Sequence, residues 1–428
     1  MTLLSKLGVR LGRGKGDTSV AHQALVTSKN VSTSGSASAD NSFGASRAST
    51  DVLPYLDSCF EGLTFQKNED IELRVNSSRI ERLLYSKVSQ YANTELNPEL
   101  STEWRPTKEH LDLVKVAVKC SVNAYEDDGI SPDLGDISCH LEVPISPTVD
   151  GVTKAIKIIS VKPSGSESGF QLPVLVVAVR GTMSKRPVDW LVNFNHKARD
   201  PGKEFVEIPW DDWYAQGINA SHTLRVHSGF LNSTEAVLQQ IKDHTERLTQ
   251  ALNIRHVLLT GHSAGGAVAS LFFLHMLVSR GWPGHANLNL SLVTFGCPPV
   301  CNPSINPYIQ SLLKKQSPPG IALAIVNESD PVPRADRSFI MSMLDMYTKT
   351  GPAPLKSDQP PTAIWEFPKP TAYIVGDLVL LKRSYDLNDD QSVHVQGYQI
   401  DADQLGELLF YDRQMHSKLV YAENIDAL

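Results

Sequence analysis

The sequence predicts an α/β fold in which helices cover both faces of a mostly parallel central sheet. From about residue 107 onward, short apolar runs of strand length alternate with segments of helical periodicity. That alternation is typical of β-α-β units and of parallel sheets. One run, Val174 to Val179, is apolar at every position, which is expected of a strand that is buried on both faces.

The individual elements are predicted from the period of their apolar residues. Apolar, mostly β-branched runs predict strands at Ala155 to Val161, Val174 to Val179, His256 to Thr260, Leu290 to Phe295 and Ile321 to Val326. Apolar residues at helical spacing predict helices at Thr107 to Tyr125 and at Asn232 to Leu252. Asn232 and Glu235 stand three residues apart, so we expect them to cap the second helix.

The N-terminal part of the chain differs in composition from the rest. Residues 1–52 are predicted to be a disordered tail, basic at first and then rich in Ser and Thr, because such a segment buries too little apolar surface to offset its ordering entropy. Residues 53–106 are predicted to be a helical lead-in, whose apolar stripe is Ile80, Leu83, Leu84, Val88 and Tyr91. Residues 107–428 then form the α/β domain.

Composition and charge exclude several classes of function. The 428 residues include 40 Lys or Arg and 47 Asp or Glu, which gives a formal net charge of −7. This balance predicts no nucleic-acid partner, since such a partner requires a basic patch. The longest apolar stretch, Ala264 to Ser279, contains polar residues and is shorter than the roughly 20 residues of a membrane span. We therefore expect no transmembrane segment.

Cysteine usage bears on cofactors and on location. The five cysteines show no CxxC spacing, so neither a disulfide framework nor a zinc site is predicted, and no metal or other cofactor is expected. Reduced thiols favour an intracellular, cytoplasmic location. The alternatives are a mitochondrial location or peripheral membrane contact, because leucines at helical spacing lie opposite the cations of the N-terminus.

The most informative segment is a strand that runs into Gly261-x-Ser263-x-Gly265 and then into a helix. A nucleophile elbow has this layout, because its serine adopts a strained backbone conformation and side chains at the two flanking glycines would clash with the neighbouring strand and helix. Ser263 is therefore the candidate nucleophile.

A serine nucleophile needs a base that is oriented by a carboxylate, here in the chain order Ser, Asp or Glu, His. Asp330 follows the last predicted strand by a short turn and is the favoured acid, with Asp336 and Asp345 as competitors. Beyond Asp330 only two histidines remain. His394 alternates within a predicted strand, and His416 stands where a loop enters the last helix, so His416 is the favoured base.

An oxyanion hole needs two backbone N–H donors near the nucleophile. The amide of Ala264, the residue after the serine, is one candidate. The turn after Val174 to Val179, Arg180-Gly181-Thr182, offers the amide of Thr182 as the other.

Together these motifs resemble the class 3 lipases, which are α/β hydrolases of the filamentous-fungal type. The resemblance runs from about Thr107 to the C-terminus and is carried by Val177-Ala-Val-Arg-Gly-Thr182, Asp189-Trp190 with Asn193, Val226-His-Ser-Gly-Phe230, Gly261-His-Ser-Ala-Gly265, Val293-Thr-Phe-Gly296, Asn327 and Asp330 with Val332-Pro333, and His416 with Tyr421. It implies the α/β-hydrolase fold, the triad Ser263, Asp330 and His416, an oxyanion hole at Thr182 and Ala264, and a lid after Gly181.

A short amphipathic segment follows the oxyanion turn, where the resembling lipases carry their lid. Within Val188 to Asn195, Trp190, Leu191 and Phe194 form the apolar face that would cover the substrate pocket. The alternative is permanent core packing of the same side chains. Whether residues 195–225 belong to the lid is open at this point.

The function expected from these residues is a serine hydrolase that cleaves carboxylic ester bonds of acylglycerols or related lipids at a lipid–water interface. A phospholipase or small-ester esterase would use the same residues. A catalytically silent lipase-like scaffold that binds lipids or partners is the alternative from another class.

Overall fold

A computed structural model describes residues 85–126, 132–134, 137–148, 154–162, 173–182, 197–206, 208, 223–278, 288–348, 360–386 and 389–428. The predicted N-terminal tail lies outside these residues, as do Ile80, Leu83 and Leu84 of the predicted lead-in stripe.

The described strands form a large sheet and a small one. The large sheet contains β1 (Thr102–Glu103), β2 (Ser138–Ile145), β3 (Ile156–Lys162), β4 (Val174–Val179), β7 (His256–His262), β8 (Asn289–Phe295), β10 (Ala322–Asn327), β11 (Asp377–Asp386) and β12 (Asp389–Ile400). The small sheet contains β5 (Ala198–Arg199), β6 (Arg225–His227) and β9 (Cys301–Asn302). All five strands predicted from the sequence are present, and their ends differ from the prediction by at most two residues.

The large sheet has a parallel centre and antiparallel edges. Its order is β1-β12-β11-β10-β8-β7-β4-β3-β2. Strands β4, β7, β8, β10 and β11 pair in parallel, whereas the outer pairings on both sides are antiparallel. The prediction of a mostly parallel sheet is thus confirmed at the centre, where the candidate residues lie.

The described helices are α1 (Lys108–Asn123), α2 (Ser228–Ala251), α3 (Ala264–Val278), α4 (Asn306–Leu313), α5 (Arg337–Thr348), α6 (Ala402–Glu407) and α7 (Lys418–Asp426). Apolar residues of α2 and α3 pack with one face of the sheet, and those of α1 and α7 pack with the other.

Strand β4 is apolar at every position because both of its faces are buried. Leu175 and Val177 belong to the apolar cluster on the α2 and α3 side, whereas Val174 and Val176 belong to the cluster on the α1 side. All four side chains are fully buried, and each contributes about 1.5–3 kcal/mol by burial. The fold therefore has two cores, one on each side of the sheet.

The start of α2 corrects one prediction. The helix begins at Ser228, so Asn232 and Glu235 lie inside it and do not cap it. The side chain of His227 is the cap, since its Nδ1 accepts a hydrogen bond from the backbone N–H of Phe230 at 3.4 Å. Asn232 and Glu235 instead contact the guanidinium of Arg199 on β5.

The described end of the lead-in is helical only at residues 85–88. Residues 98–100 form a 3₁₀ turn, and β1 then joins the large sheet by pairing with β12. Val88 and Tyr91 are buried, as expected of the predicted stripe. The C-terminal part of the predicted lead-in is therefore part of the sheet rather than a helix.

Candidate active site

The carboxyl ends of the parallel strands meet at one edge of the sheet, and the candidate residues lie there. Ser263 stands between β7 and α3 with a backbone φ of +60°, a conformation that L-residues rarely adopt. Its N–H donates to the carbonyl of Phe295 at the end of β8, at 2.9 Å, and its carbonyl accepts from the N–H of Gly266 at 2.9 Å. The backbone of the serine is thus held by the neighbouring strand and by the helix that follows.

The two flanking glycines are required by close approaches of the backbone. A Cβ on Gly261 would collide with the backbone of Gly265, and a Cβ on Gly265 would collide with the carbonyl oxygen of Val179 on β4. These are the clashes with helix and strand that the motif predicts, so the segment has the geometry of a nucleophile elbow.

The structure brings Ser263, His416 and Asp330 into one hydrogen-bonded chain. His416 Nε2 is 2.9 Å from Ser263 Oγ, and His416 Nδ1 is 2.8 Å from Asp330 Oδ2. The side chain of Asp330 is fully buried, whereas that of His416 is 20% exposed. A hydroxyl, an imidazole and a buried carboxylate in this order can transfer a proton from the hydroxyl to the imidazole.

Donors surround the carboxylate of Asp330. The hydroxyl of Tyr421 donates to Oδ2 at 2.7 Å, and the N–H of Val332 donates to Oδ1 at 2.9 Å. The Tyr421 oxygen also accepts from the N–H of Asn327 at 3.0 Å. Burial raises the pKa of Tyr421 well above its ordinary value, so its hydroxyl keeps the proton that it donates.

The competing residues lie in other environments. Asp336 accepts from the N–H of Phe339 at 2.9 Å and from the hydroxyl of Thr371 at 2.9 Å, which places it at the start of α5, and Asp345 lies within α5. His394 is exposed on β12, opposite Ser384 of β11.

The loop that carries His416 is held by Asn327 and by two residues that sequence analysis did not single out, Asn424 and Arg383. The side-chain amide of Asn327, the last residue of β10, donates to the carbonyl of Met415 at 2.9 Å. Asn424 of α7 donates to the side-chain oxygen of Asn327 at 2.8 Å, and Arg383 of β11 donates in turn to Asn424. No local pattern marks Asn424 or Arg383, because their role arises only where three elements meet.

A segment N-terminal to the predicted domain also contacts the turn that carries Asp330. The N–H of Leu96 donates to Glu328 at 2.7 Å, and Lys382 lies 3.0 Å from both Glu328 and Glu95. Burial raises the pKa of Glu328, against the opposing effect of these donors. Glu328 lies two residues before Asp330, so residues 95–96 help to hold the turn that carries the acid.

The two candidate oxyanion donors belong to segments that adjoin Ser263. Ala264 is the first residue of α3, so its N–H has no acceptor within the helix. Gly181 is packed against the elbow, since a Cβ built on it would lie 3.3 Å from Ser263 Cβ. Thr182 follows this glycine directly and is half-buried.

Three predicted residues, Trp190, Leu191 and Phe194, lie outside the described part of the chain. Within the described part, no cluster of three or more His, Cys, Asp or Glu side chains could hold a metal ion. None of the described helices is long and apolar enough to cross a membrane.

Part of the chain is similar to known proteins. Residues 176–338 match the model of the family Lipase (class 3). The chain is similar to "Secreted mono- and diacylglycerol lipase 2" of Gibberella zeae, at 29% identity over 38% of this chain and 39% of that protein. It is also similar to "Lipase A" of Sodiomyces alcalophilus, at 30% identity over 40% of this chain and 38% of that protein. The matched segment thus spans about two fifths of the length of these relatives.

Solved structures of fungal lipases align with a larger share of the chain at lower identity. A Rhizomucor miehei lipase propeptide complex aligns with a TM-score of 0.43 at 18% identity and covers 77% of this chain and 85% of its own. The lipase of Rhizopus microsporus var. chinensis aligns with a TM-score of 0.44 at 17% identity and covers 76% of this chain and 90% of its own.

Proposed function

Because residues 176–338 match the model of the family Lipase (class 3), we propose that this protein is a serine hydrolase of carboxylic esters with Ser263 as its nucleophile. The observation that carries the proposal is the hydrogen-bonded chain from Ser263 through His416 to Asp330, with the serine at a φ of +60°. Relatives named as lipases support the same class of reaction.

The proposed reaction begins with attack of Ser263 Oγ on the ester carbonyl carbon. The hydroxyl proton moves to His416 Nε2, and Asp330 stabilises the resulting imidazolium through its hydrogen bond to Nδ1. The carbonyl electron pair becomes an oxyanion, which accepts hydrogen bonds from the amides of Ala264 and Thr182.

The tetrahedral intermediate then collapses. His416 gives its proton to the departing alcohol oxygen, the carbon–oxygen bond breaks, and an acyl ester remains on Ser263. A water molecule repeats the sequence, with His416 as its base, and releases the carboxylic acid. No cofactor takes part in these steps.

We propose acylglycerols or related lipids as substrates. The support is the pair of relatives named as a mono- and diacylglycerol lipase and as a lipase. The lid expected from the sequence suits a lipid substrate, because an apolar segment with Trp190, Leu191 and Phe194 would gain contacts with lipid on opening. A lid predicts that hydrolysis of a short-chain ester rises abruptly when the ester exceeds its solubility, and that Trp190→Ser weakens this rise.

The test of the reaction class is labelling with a fluorophosphonate, followed by mapping of the modified residue. We expect the label on Ser263, together with hydrolysis of a soluble ester. Ser263→Ala should abolish labelling and reduce hydrolysis by about 10³-fold or more without lowering the melting temperature. Labelling at another serine would overturn the assignment of Ser263 as the nucleophile. A folded protein that is neither labelled nor active would favour the lipid- or partner-binding scaffold.

Substrate class and location need separate measurements. A panel of triacylglycerol, diacylglycerol, monoacylglycerol, phospholipid and short-chain ester would rank the substrates, and a preference for phospholipid would replace the acylglycerol assignment. We propose a cytoplasmic location from the cysteine pattern; detection of the protein in the culture medium instead would contradict it.

A further inference from the structure

His262 is the last residue of β7, directly before the nucleophile, and touches the candidate base. Its side chain is buried, with the residue 6% exposed. Its Nε2 is 2.8 Å from the main-chain carbonyl oxygen of His416, and its Nδ1 is 3.0 Å from the hydroxyl of Tyr125, just after α1. This one side chain therefore connects α1 to the loop that carries His416.

These contacts assign the tautomer of His262. A carbonyl oxygen can only accept a hydrogen bond, so Nε2 of His262 carries the proton and donates to His416. Nδ1 is then an acceptor, and the hydroxyl of Tyr125 donates to it. Both ring nitrogens are satisfied in the neutral form.

The ring of His262 also packs against the ring that must become charged. The imidazole centroids of His262 and His416 are 4.7 Å apart with an interplanar angle of 35°, and the ring of Tyr421 meets His262 edge-on at 5.7 Å. Burial lowers the pKa of His262 well below 6.5, and the neighbouring His416 acts in the same direction. His262 therefore stays neutral and adds no positive charge beside the imidazolium of His416.

We propose that His262 is a positioning residue for the reaction proposed above, on which this inference rests: its Nε2–H holds the backbone of His416, and its ring supports the imidazole against Ser263. Asp330 fixes the other side of the same imidazole through Nδ1. The base is thus held at its backbone and at its ring, by two residues 68 positions apart in the sequence (330 − 262). A displacement of about 1 Å between reacting groups reduces rates by about 100-fold. Loss of the hydrogen bond from His262 or of the one to Asp330 should therefore lower turnover.

Two substitutions separate the hydrogen bond from Nε2–H of His262 from the packing of its ring against His416. His262→Gln keeps an N–H donor near the position of Nε2, whereas His262→Phe keeps a ring of similar shape but has no donor. With a soluble short-chain ester, we expect His262→Phe to lower kcat by about 10-fold or more while KM stays within about twofold, because the buried His262 acts through its contact with the base. His262→Gln should recover kcat to within about threefold of the unmodified protein.

Tyr125→Phe provides a second variant that leaves His262 in place. It removes the donor to Nδ1, so it should lower kcat by about two- to fivefold at constant KM. Thermal unfolding and the rate of fluorophosphonate labelling of Ser263 are measured for each variant. A slower labelling rate in a protein with an unchanged melting temperature is the signature of a displaced base.

The outcomes separate the two proposals. If the unmodified protein is active and labelled at Ser263 but His262→Phe matches it in kcat, the positioning role is wrong and the proposed function stands. The same holds if His262→Gln is as slow as His262→Phe. If His262→Phe fails to fold, an unchanged kcat in Tyr125→Phe overturns the positioning role. An unmodified protein that is folded, inactive and unlabelled overturns both.

Discussion

Gly296 lies directly against His416. A Cβ built on this glycine would be 3.0 Å from both Nδ1 and Cε1 of the imidazole and 3.0 Å from Oδ2 of Asp330. The backbone of Gly296 has a φ of +56°, so this position favours glycine both for its conformation and for the space around it. The residue after β8 thus shapes the contact between the candidate acid and base.

Gly296→Ala should therefore impair the proposed activity. A methyl group at this position pushes the imidazole away from Asp330, and the positive φ adds about 1–2 kcal/mol of strain. We expect kcat for a soluble ester to fall by about 10-fold or more. The matched control is Gly202→Ala, where φ is +79° but nothing lies within 4 Å of the added Cβ. The control should lose stability only through the strain of its positive φ and should keep its kcat. An equal loss of kcat in both variants would argue against steric displacement.

The assignment of the base predicts a difference between two histidine variants. His416→Ala should reduce ester hydrolysis by about 10³-fold or more, and the double variant with Ser263→Ala should be little worse, since triad members act as one unit. His394→Ala should have little effect, because His394 is exposed on β12. Initial rates at saturating soluble ester measure both. Reversed severities would mean that another residue serves as the base.

The ion pair of Glu328 and Lys382 should stabilise the turn before Asp330. The two side chains are only 12% and 19% exposed, so Lys382→Met leaves a partly buried carboxylate without its cation and should lower the free energy of unfolding by about 1–3 kcal/mol. Adding Glu328→Gln should recover part of this loss. Denaturant unfolding of the two single variants and of the double variant completes a double-mutant cycle, which gives the coupling free energy between Glu328 and Lys382.

The control for that cycle is the pair of Arg105 and Glu103, whose side chains are 81% and 39% exposed. Arg105→Ala should leave the free energy of unfolding almost unchanged, because solvent screens an exposed ion pair. If Lys382→Met is equally mild, the contact with residues 95–96 does not hold the turn.

Stability should fall as the solution is acidified, partly because of His256. Burial lowers the pKa of this side chain to about 4 from 6.5, and its Nε2 lies 2.9 Å from the hydroxyl of Ser291. Above pH 6.5 the residue is neutral in both folded and unfolded protein. Below pH 6.5 the unfolded chain takes up the proton first, so stability is lost as the pH falls towards 4, by at most about 2 kcal/mol at pH 5.

His256→Gln should reduce this dependence, because glutamine has no proton to take up in that range. The free energy of unfolding at pH 7 and at pH 5 measures the effect. His140→Gln, on the exposed face of β2, is the control and should keep the dependence of the unmodified protein. An equal fall in stability for His256→Gln and the unmodified protein would show that other groups account for it.

Local sequence determined the features that depend on neighbouring residues along the chain. The apolar period predicted the central strands, because a strand buried on both faces needs apolar side chains at each position. The elbow at Ser263 was predictable because the clashes that require Gly261 and Gly265 arise within a few residues of the serine and from the adjacent strand. Chain order and the turn after β10 then favoured Asp330 as the acid and His416 as the base, with Asp336, Asp345 and His394 still as competitors.

The tertiary structure decided which distant groups meet. Ser263 and His416 are separated by 153 positions, and Tyr125 and His262 by 137. The same is true of the helix start at Ser228: the Asn232 and Glu235 pattern suited a cap, but Arg199 on another element binds both side chains. Hydrogen bonds and ion pairs of this kind form only when packing of the two cores has brought the partners within about 3 Å. A sequence pattern records what a residue can donate or accept, and the packed sheet and helices select its partner.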